Sequence, residues 1–231
     1  MKRHDTIRSS ITVRLRQRAA WVLACAVFAG GAWGCSAPQR VGPLRHSSGL
    51  FEQSRDVGDV GAAGGMAHEG GSSYRVSGAG YDVWWDRDAF HFASRAHTGD
   101  VRLEARVEWL SESTEVYRKA LLMLRESFEA DAAYADVAVH GGGMAALQYR
   151  PYAGAPTLQL VSPVRDPRHA RLERRGNLIS AFVSSDGDEW VPIGPVPVEL
   201  PETVQAGIGV CSHHAGEVAS VRFAGLELEA L

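Results

Sequence analysis

From Val101 to Leu110 apolar and charged side chains alternate: Val101, Leu103, Ala105, Val107 and Trp109 against Arg102, Glu104, Arg106 and Glu108. A period of two gives a strand with one buried and one wet face. The strand opens after Thr98-Gly99-Asp100, a sequence suited to a tight turn. Val204, Ala206, Ile208 and Val210 repeat the pattern, as do Ala219, Val221 and Phe223. "NLISAFVSSDGDEWVPIG" reads as two strands joined across Asp186-Gly187, a strong hairpin signal. Many short strands punctuated by Gly, Pro and Asp from Phe51 onward predict an all-β sandwich or barrel. One segment resists this reading. "TEVYRKALLMLRESFEADAAYA" is rich in helix formers, and Ala120–Leu124 is continuously apolar, so periodicity does not decide between helix and buried strand.

The beginning of the chain follows a different pattern. Residues 1–18 are basic, Ala19–Phe28 are apolar, and "AGGAWGC" ends at Cys35. The apolar run is too short to span a bilayer comfortably, and its flanks suit an export signal. Ala-Trp-Gly-Cys resembles a bacterial lipobox with Ala32 where Leu is usual, which makes Cys35 the expected lipidation site. Ordinary cleavage after Ala37 is the alternative. Ser36 suits an outer-membrane destination if the source has two membranes. Residues 1–34 are thus expected to be a signal peptide and residues 35–50, polar with Pro and Gly, a flexible tether. Residues 51–231 form the folded domain. Several acyl chains anchor a protein firmly where one does not. With Cys25 removed and Cys35 lipidated, Cys211 has no disulfide partner.

Composition narrows the choices further. The 231 residues are 45% hydrophobic and 22% charged, enough to bury one sizeable core and too apolar for a disordered chain. Three cysteines exclude a disulfide-stapled miniprotein. Residues 1–34 hold six basic residues and one acid, so the other 18 basic and 26 acidic residues leave the remainder at −8. A domain that acidic has no general attraction for nucleic acid or anionic lipid.

Seven segments in order carry a resemblance: "FEQSRDVGDVG", "YRVSGAGYDVWWDRDAFHF", "TGDVRLEARVEWL", "RKALLMLRES", "YADVAVHGGGMAALQYR", "RLERRGNLISAFVSSDGDEW" and "IGVCSHHAG". Together, from about Phe51 to Glu229, they resemble the laminin-G/concanavalin A-like jelly-roll domains. Such domains are often attached to secreted glycan-processing proteins and to TolB-like propeller proteins. The resemblance implies a jelly-roll β-sandwich of two antiparallel sheets, with "KALLMLRES" as a central strand. It implies much less about activity, because these folds host lectins, glycosidases and interaction modules alike.

Motifs for catalysis are incomplete. The laminarinase-type Glu-x-Asp-x-x-Glu strand, which would set two carboxylates at the separation retention requires, is represented only by Glu129-Ala130-Asp131, with Tyr134 where the last acid belongs. "SSDGDEW" resembles a sialidase Asp-box short of one residue, and Trp190 is expected to pack on its hairpin. "GGGMAA" is followed by strand-like sequence rather than the helix a dinucleotide needs, so it reads as a glycine turn. "CSHH" at Cys211–His214 has no second ligand pair at zinc spacing and reads as a polar loop. No Gly-x-Ser-x-Gly elbow or P-loop occurs. No cofactor is expected, with calcium on Asp56, Asp59, Asp82 and Asp100 the minor alternative.

A candidate ligand face remains. Strict alternation puts Lys119 and Arg125 on one side of their strand and Gln148 and Arg150 on one side of another, with His140 just before the turn between neighbours. Trp84 and Trp85 precede His91, and alternation would send the two indoles opposite ways. Aromatic plates beside amide and guanidinium groups suit sugars. The competing reading makes these polar side chains structural, with Arg125 meeting a local acid. The expectation is therefore a non-catalytic, exported, carbohydrate-binding envelope lipoprotein, with an envelope protein as the alternative partner. A glycan hydrolase or lyase using His91, His140 or Tyr149 is a third reading.

Overall fold

The computed structural model describes residues 49–231. The expected signal peptide, the expected lipidation site at Cys35 and nearly all of the expected tether lie outside these described residues. In chain order the strands begin with β1 Gln53–Val57, β2 Gly65–Gly70, β3 Ser73–Gly80, β4 Val83–Trp84, β5 Arg87–Asp88 and β6 Phe90–Thr98. Next come β7 Val101–Trp109, β8 Lys119–Arg125, β9 Tyr134–His140, β10 Ala145–Arg150 and β11 Leu158–Val161. The last are β12 His169–Arg175, β13 Leu178–Ser184, β14 Val191–Pro197, β15 Thr203–Cys211 and β16 His214–Ala230.

These strands form a concanavalin A-like jelly-roll sandwich. The first sheet runs β1-β6-β15-β8-β9-β10-β11 and the second β14-β13-β12-β7-β16-β3-β2, each with seven strands, while β4 and β5 make a separate ribbon. All the pairings are antiparallel. Strand β7 has the expected alternation, with Val101, Leu103, Ala105 and Val107 buried between the sheets. Gly99 turns the chain into it at a φ of 87°. The β13–β14 hairpin forms across Asp186-Gly187, and Trp190 packs on it by donating its indole N–H to Gly187 O at 3.0 Å.

The segment with helical propensity is strand β8, at the centre of the first sheet. Ala120, Leu122 and Leu124 enter the core between the sheets. Leu121 and Met123 face the other way into a second, smaller core with Val83, Phe90, Phe92, Tyr134 and Ala138. A strand covered on both faces has no wet positions and hence no alternation. Burial on two sides outweighs the few tenths of a kcal/mol per residue, roughly, that separate these residues' intrinsic preferences.

The second core exists because the outer face of the first sheet is covered by the β4–β5 ribbon and adjoining loops. Close approach is needed there: a Cβ at Gly209 would meet the Phe90 ring at 2.9 Å, so only glycine lets that ring lie against β15. This covered face carries the site. Leu122→Ala is expected to cost about 2–5 kcal/mol by leaving a cavity between the sheets. Urea unfolding measures this, and a loss well below 1 kcal/mol would argue against a central β8.

Candidate functional site

The outer face is organised by a carboxylate on β5. Asp88 has no exposed side-chain surface, and its two oxygens meet Arg125 Nη1 at 2.6 Å and Arg150 Nη2 at 2.7 Å. Arg150 Nη1 also donates to Asp88 at 2.8 Å and to Ala132 O at 3.1 Å. Arg125 spends its Nε on Ser127 O at 2.8 Å. Both arginines are fully buried. They share the predicted face, yet as ligand contacts they must be corrected: their donors are consumed by Asp88 and by backbone carbonyls.

The same clamp holds the β4–β5 hairpin. Arg150 Nη2 donates to Trp84 O at 3.3 Å and Trp85 O at 3.0 Å, and Thr157 donates to Trp85 O through its backbone N–H at 2.9 Å and its hydroxyl at 3.0 Å. Trp85 sits in the turn at a φ of 46°, where a bulky L-residue is disfavoured. The two tryptophans therefore separate by turn geometry, not by strand alternation. Trp85 is 70% exposed, while Trp84 is half-buried and lies 5.2 Å from the Lys119 ammonium. Lys119, itself buried, pairs with Asp82 at 2.7 Å and donates to Val83 O at 2.7 Å.

Beside Trp84 a cavity of about 260 Å³ opens onto the sheet. Trp84, Tyr117 and His213 supply its rings, and Asp82, Lys119, His140, Gln148 and Gln159 its polar groups. Strand register explains the assembly. Lys119 is paired with His140, and Gln148 stands between Asp136 and Gln159. The Gln148 amide donates to Gln159 Oε1 at 3.1 Å, but Gln148 Oε1 has no partner. His140 Nδ1 and both oxygens of the fully buried Asp136 are likewise unpartnered.

Burial dominates the titration of this floor. Burial brings the His140 imidazole down to about 4, with Lys119 adding to the effect and the carbonyl of Met144 opposing it. His140 is thus neutral at neutral pH. Burial also drives the Asp136 carboxyl well above the ordinary carboxylate range; Lys119 opposes this and Asp88 reinforces it. Cys211, at the edge of the same core, is pushed up to about 12 by burial and is an unreactive thiol.

The remaining sequence-predicted residues go elsewhere. His91 turns to the opposite face of the first sheet, against Gly64 and Gly78. There it is held by Asp56 at 2.7 Å and Ser54 at 2.8 Å, and it contributes nothing to the cavity. Tyr149 packs against the core between the sheets, so of the three residues considered for acid–base work only His140 reaches the cavity. Of the acids considered for calcium, Asp59 and Asp82 line one hollow beside the β4–β5 ribbon, while Asp56 and Asp100 are engaged elsewhere. Asp56 accepts from His91 and Gly64 N–H, Asp82 faces Lys119 and Asp100 accepts from Gly176 N–H at 2.7 Å. Among the described residues no group of three or more His, Cys, Asp and Glu side chains is placed to hold a metal.

Sequence reasoning missed Tyr117 and Gln159 as lining residues and Asp136 buried beside them, weighed Asp82 only for calcium, and set His213 aside as part of a polar loop. Asp136 had a visible signal, a lone acid in the otherwise apolar "YADVAVH". The CSHH motif drew notice to His213 but not to its place, which depends on a left-handed turn at a φ of 64° that sets it between Tyr81 and Tyr117.

No family model and no curated protein matches the chain. Among solved structures, a functionally unknown protein from Saccharomyces cerevisiae has a TM-score of 0.57 at 18% identity, over 73% of this chain and 96% of its own. That likeness speaks for a shared fold. A cellulose-induced protein has a TM-score of 0.45 at 16% identity, over 75% of this chain and 88% of its own. An alginate lyase from Pseudomonas aeruginosa has 0.41 at 11%, over 69% and 83%. These two likenesses are too distant to bear on function.

Two expectations follow from the buried charges. Asp88→Ala should destabilise the domain by about 3–5 kcal/mol, because it leaves two arginines buried without their counter-charge; a loss under 1 kcal/mol on urea unfolding would contradict the clamp. The pH profile supplies the other. Between about pH 6.5 and 4 the unfolded chain protonates His140 while the folded chain does not, so stability falls as pH falls, by up to about 3 kcal/mol. Asp136 acts in the opposite sense: above its ordinary range near pH 4 the unfolded chain releases a proton that the folded chain keeps, so stability declines as pH rises. Unfolding free energies from pH 4 to 8 should lose the acid-side slope in His140→Gln and the opposing slope in Asp136→Asn; profiles parallel to the parent would refute the assignment.

Proposed function

We propose that this domain is a non-catalytic carbohydrate-binding module, exported and held at the cell envelope by a lipid anchor on Cys35. The observation that carries the reading is the floor of the cavity. His140 Nδ1 and Gln148 Oε1 are buried without partners beneath aromatic walls, and Asp136 lies next to Gln148 in the same condition. Each unpartnered buried polar group costs about 1–3 kcal/mol, so such a cluster is stabilised by a ligand rich in hydrogen-bonding groups. Sugar hydroxyls both donate and accept, and can serve a neutral imidazole and an amide oxygen together. Sugar C–H faces suit the rings of Trp84 and Tyr117. Asp82 keeps Lys119 in place and leaves the floor without a large net charge. This recognition requires no metal or cofactor. A relationship to the sandwiches attached to glycan-processing and propeller proteins belongs to the same proposal.

A second reading, an envelope protein-interaction module, is favoured by one feature. Edge strand β11 exposes Leu158, Leu160 and Val161 and holds no proline or charge within it. An unguarded edge of that kind is a template for an added strand.

A glycan array run with calcium and again with chelator, followed by calorimetry, separates these readings. Trp84→Ala and Gln148→Ala are each expected to weaken binding at least tenfold while the protein stays folded. A blank across neutral and acidic glycans would turn the conclusion toward a protein partner, and loss with chelator would add calcium. New reducing ends or unsaturated products would show that the site is catalytic. For the anchor, Cys35→Ser should move the protein from the membrane fraction to the soluble fraction; an unchanged distribution would count against lipidation there.

A further inference from the structure

The cavity beside Trp84 is one of two adjoining hollows. A second, of about 500 Å³, lies along the β4–β5 ribbon and shares Asp82, Trp84 and His213 with the first. Trp84 stands between them. The second hollow is lined further by Tyr81, Trp85, Arg87 and Asp59. Aromatic rings run along both: Tyr81 and Tyr117 are 68% and 56% exposed, and they flank His213 with ring centroids 5.5 and 5.6 Å away.

Trp85 gives the second hollow its meaning. Its backbone conformation is one that glycine adopts freely and a bulky residue does not, yet an indole stands there, 70% exposed. Core packing does not account for it. The turn is held instead through the carbonyl of Trp85, which accepts from Arg150 Nη2, from Arg150 Nε at 3.3 Å, and from the backbone N–H and hydroxyl of Thr157. A strained position persists when its surroundings over-determine it, and such positions cluster at ligand contacts. Here the over-determination leaves a large, exposed ring on a fixed backbone at the rim of a groove.

We infer that the site takes a glycan chain of two or more linked rings, one seated over His140 and Gln148 and the next beyond Trp84 against Trp85, rather than a single sugar. This rests on the carbohydrate reading above. A monosaccharide fills one hollow and leaves the exposed indole without a role; linked rings engage both, and the second contact becomes intramolecular once the first has formed.

The test is calorimetry on the full chain with cello-, chito- and uronic-acid oligosaccharides of one to six rings. In the series that binds, affinity should rise at least tenfold from one ring to three and then level off. Trp85→Gly should remove that gain, so that long and short oligomers bind alike, while raising the melting temperature through relief of the backbone. Trp85→Phe should restore part of the gain. Equal affinity for one ring and for longer chains, or an undiminished length dependence in Trp85→Gly, would overturn this inference and leave carbohydrate binding standing. No binding at any length in any series would overturn both.

Discussion

A single buried carboxylate, Asp88, holds the outer face of this sandwich together. It lies on a two-residue strand too short to stand alone, and its charge is matched by two arginines from strands of the first sheet. Arg150 reaches past Asp88 to the carbonyls of Trp84, Trp85 and Ala155, so one guanidinium fixes both the acid and the turn beside it. Apolar residues of equal volume could fill the space with no loss of stability. Only a charged, directional fork also dictates where the ribbon sits, and with it the two tryptophans.

From that constraint follows the division of the first sheet into two environments. The face toward the second sheet is an ordinary sandwich core of Ala, Val, Leu, Ile and Phe. The opposite face passes from the Asp88 clamp, through a small apolar cluster around Leu121 and Met123, to the polar floor at His140 and Gln148, with Asp136 buried beside it. Burial suppresses charge along this gradient unless a partner is supplied. Asp88 has two guanidinium partners and Lys119 has Asp82, whereas Asp136 and His140 have none and shift toward their neutral forms. Residues 35–231 carry a formal net charge of −8, and the cavity sets aromatic rings and hydrogen-bonding groups beside the Asp82–Lys119 ion pair.

The chain alone determined a good deal. The unbroken alternation of Val101–Trp109 required a strand with one buried face, Asp186-Gly187 marked a hairpin, and Gly141–Gly143 marked a turn rather than a nucleotide loop. Alternation also determined that Lys119 shares a face with Arg125, and Gln148 with Arg150, because side-chain direction in a strand is a local property of the backbone. It was silent on what covers that face. Whether an arginine meets solvent, a sugar or a buried aspartate depends on an element 37 or 62 residues away, and no local pattern encodes that meeting. The same limit hid strand β8, whose apolar run reads alike for a helix or for a strand buried on both sides.

Tertiary structure decided the rest at particular residues. Trp85 became a rim residue because the ribbon turns at it, His91 left the site because its strand directs it to the other face, and His213 joined because a left-handed residue follows Ser212. Asp136 was visible as an acid in an apolar strand, but the upward push on its carboxyl arises only when burial between the strands that carry Met123 and Gln148 desolvates it. Sequence periodicity records which way a side chain points. Burial, charge state and the partner it finds are collective properties of elements distant in the chain, and they exist only once the fold has brought those elements together.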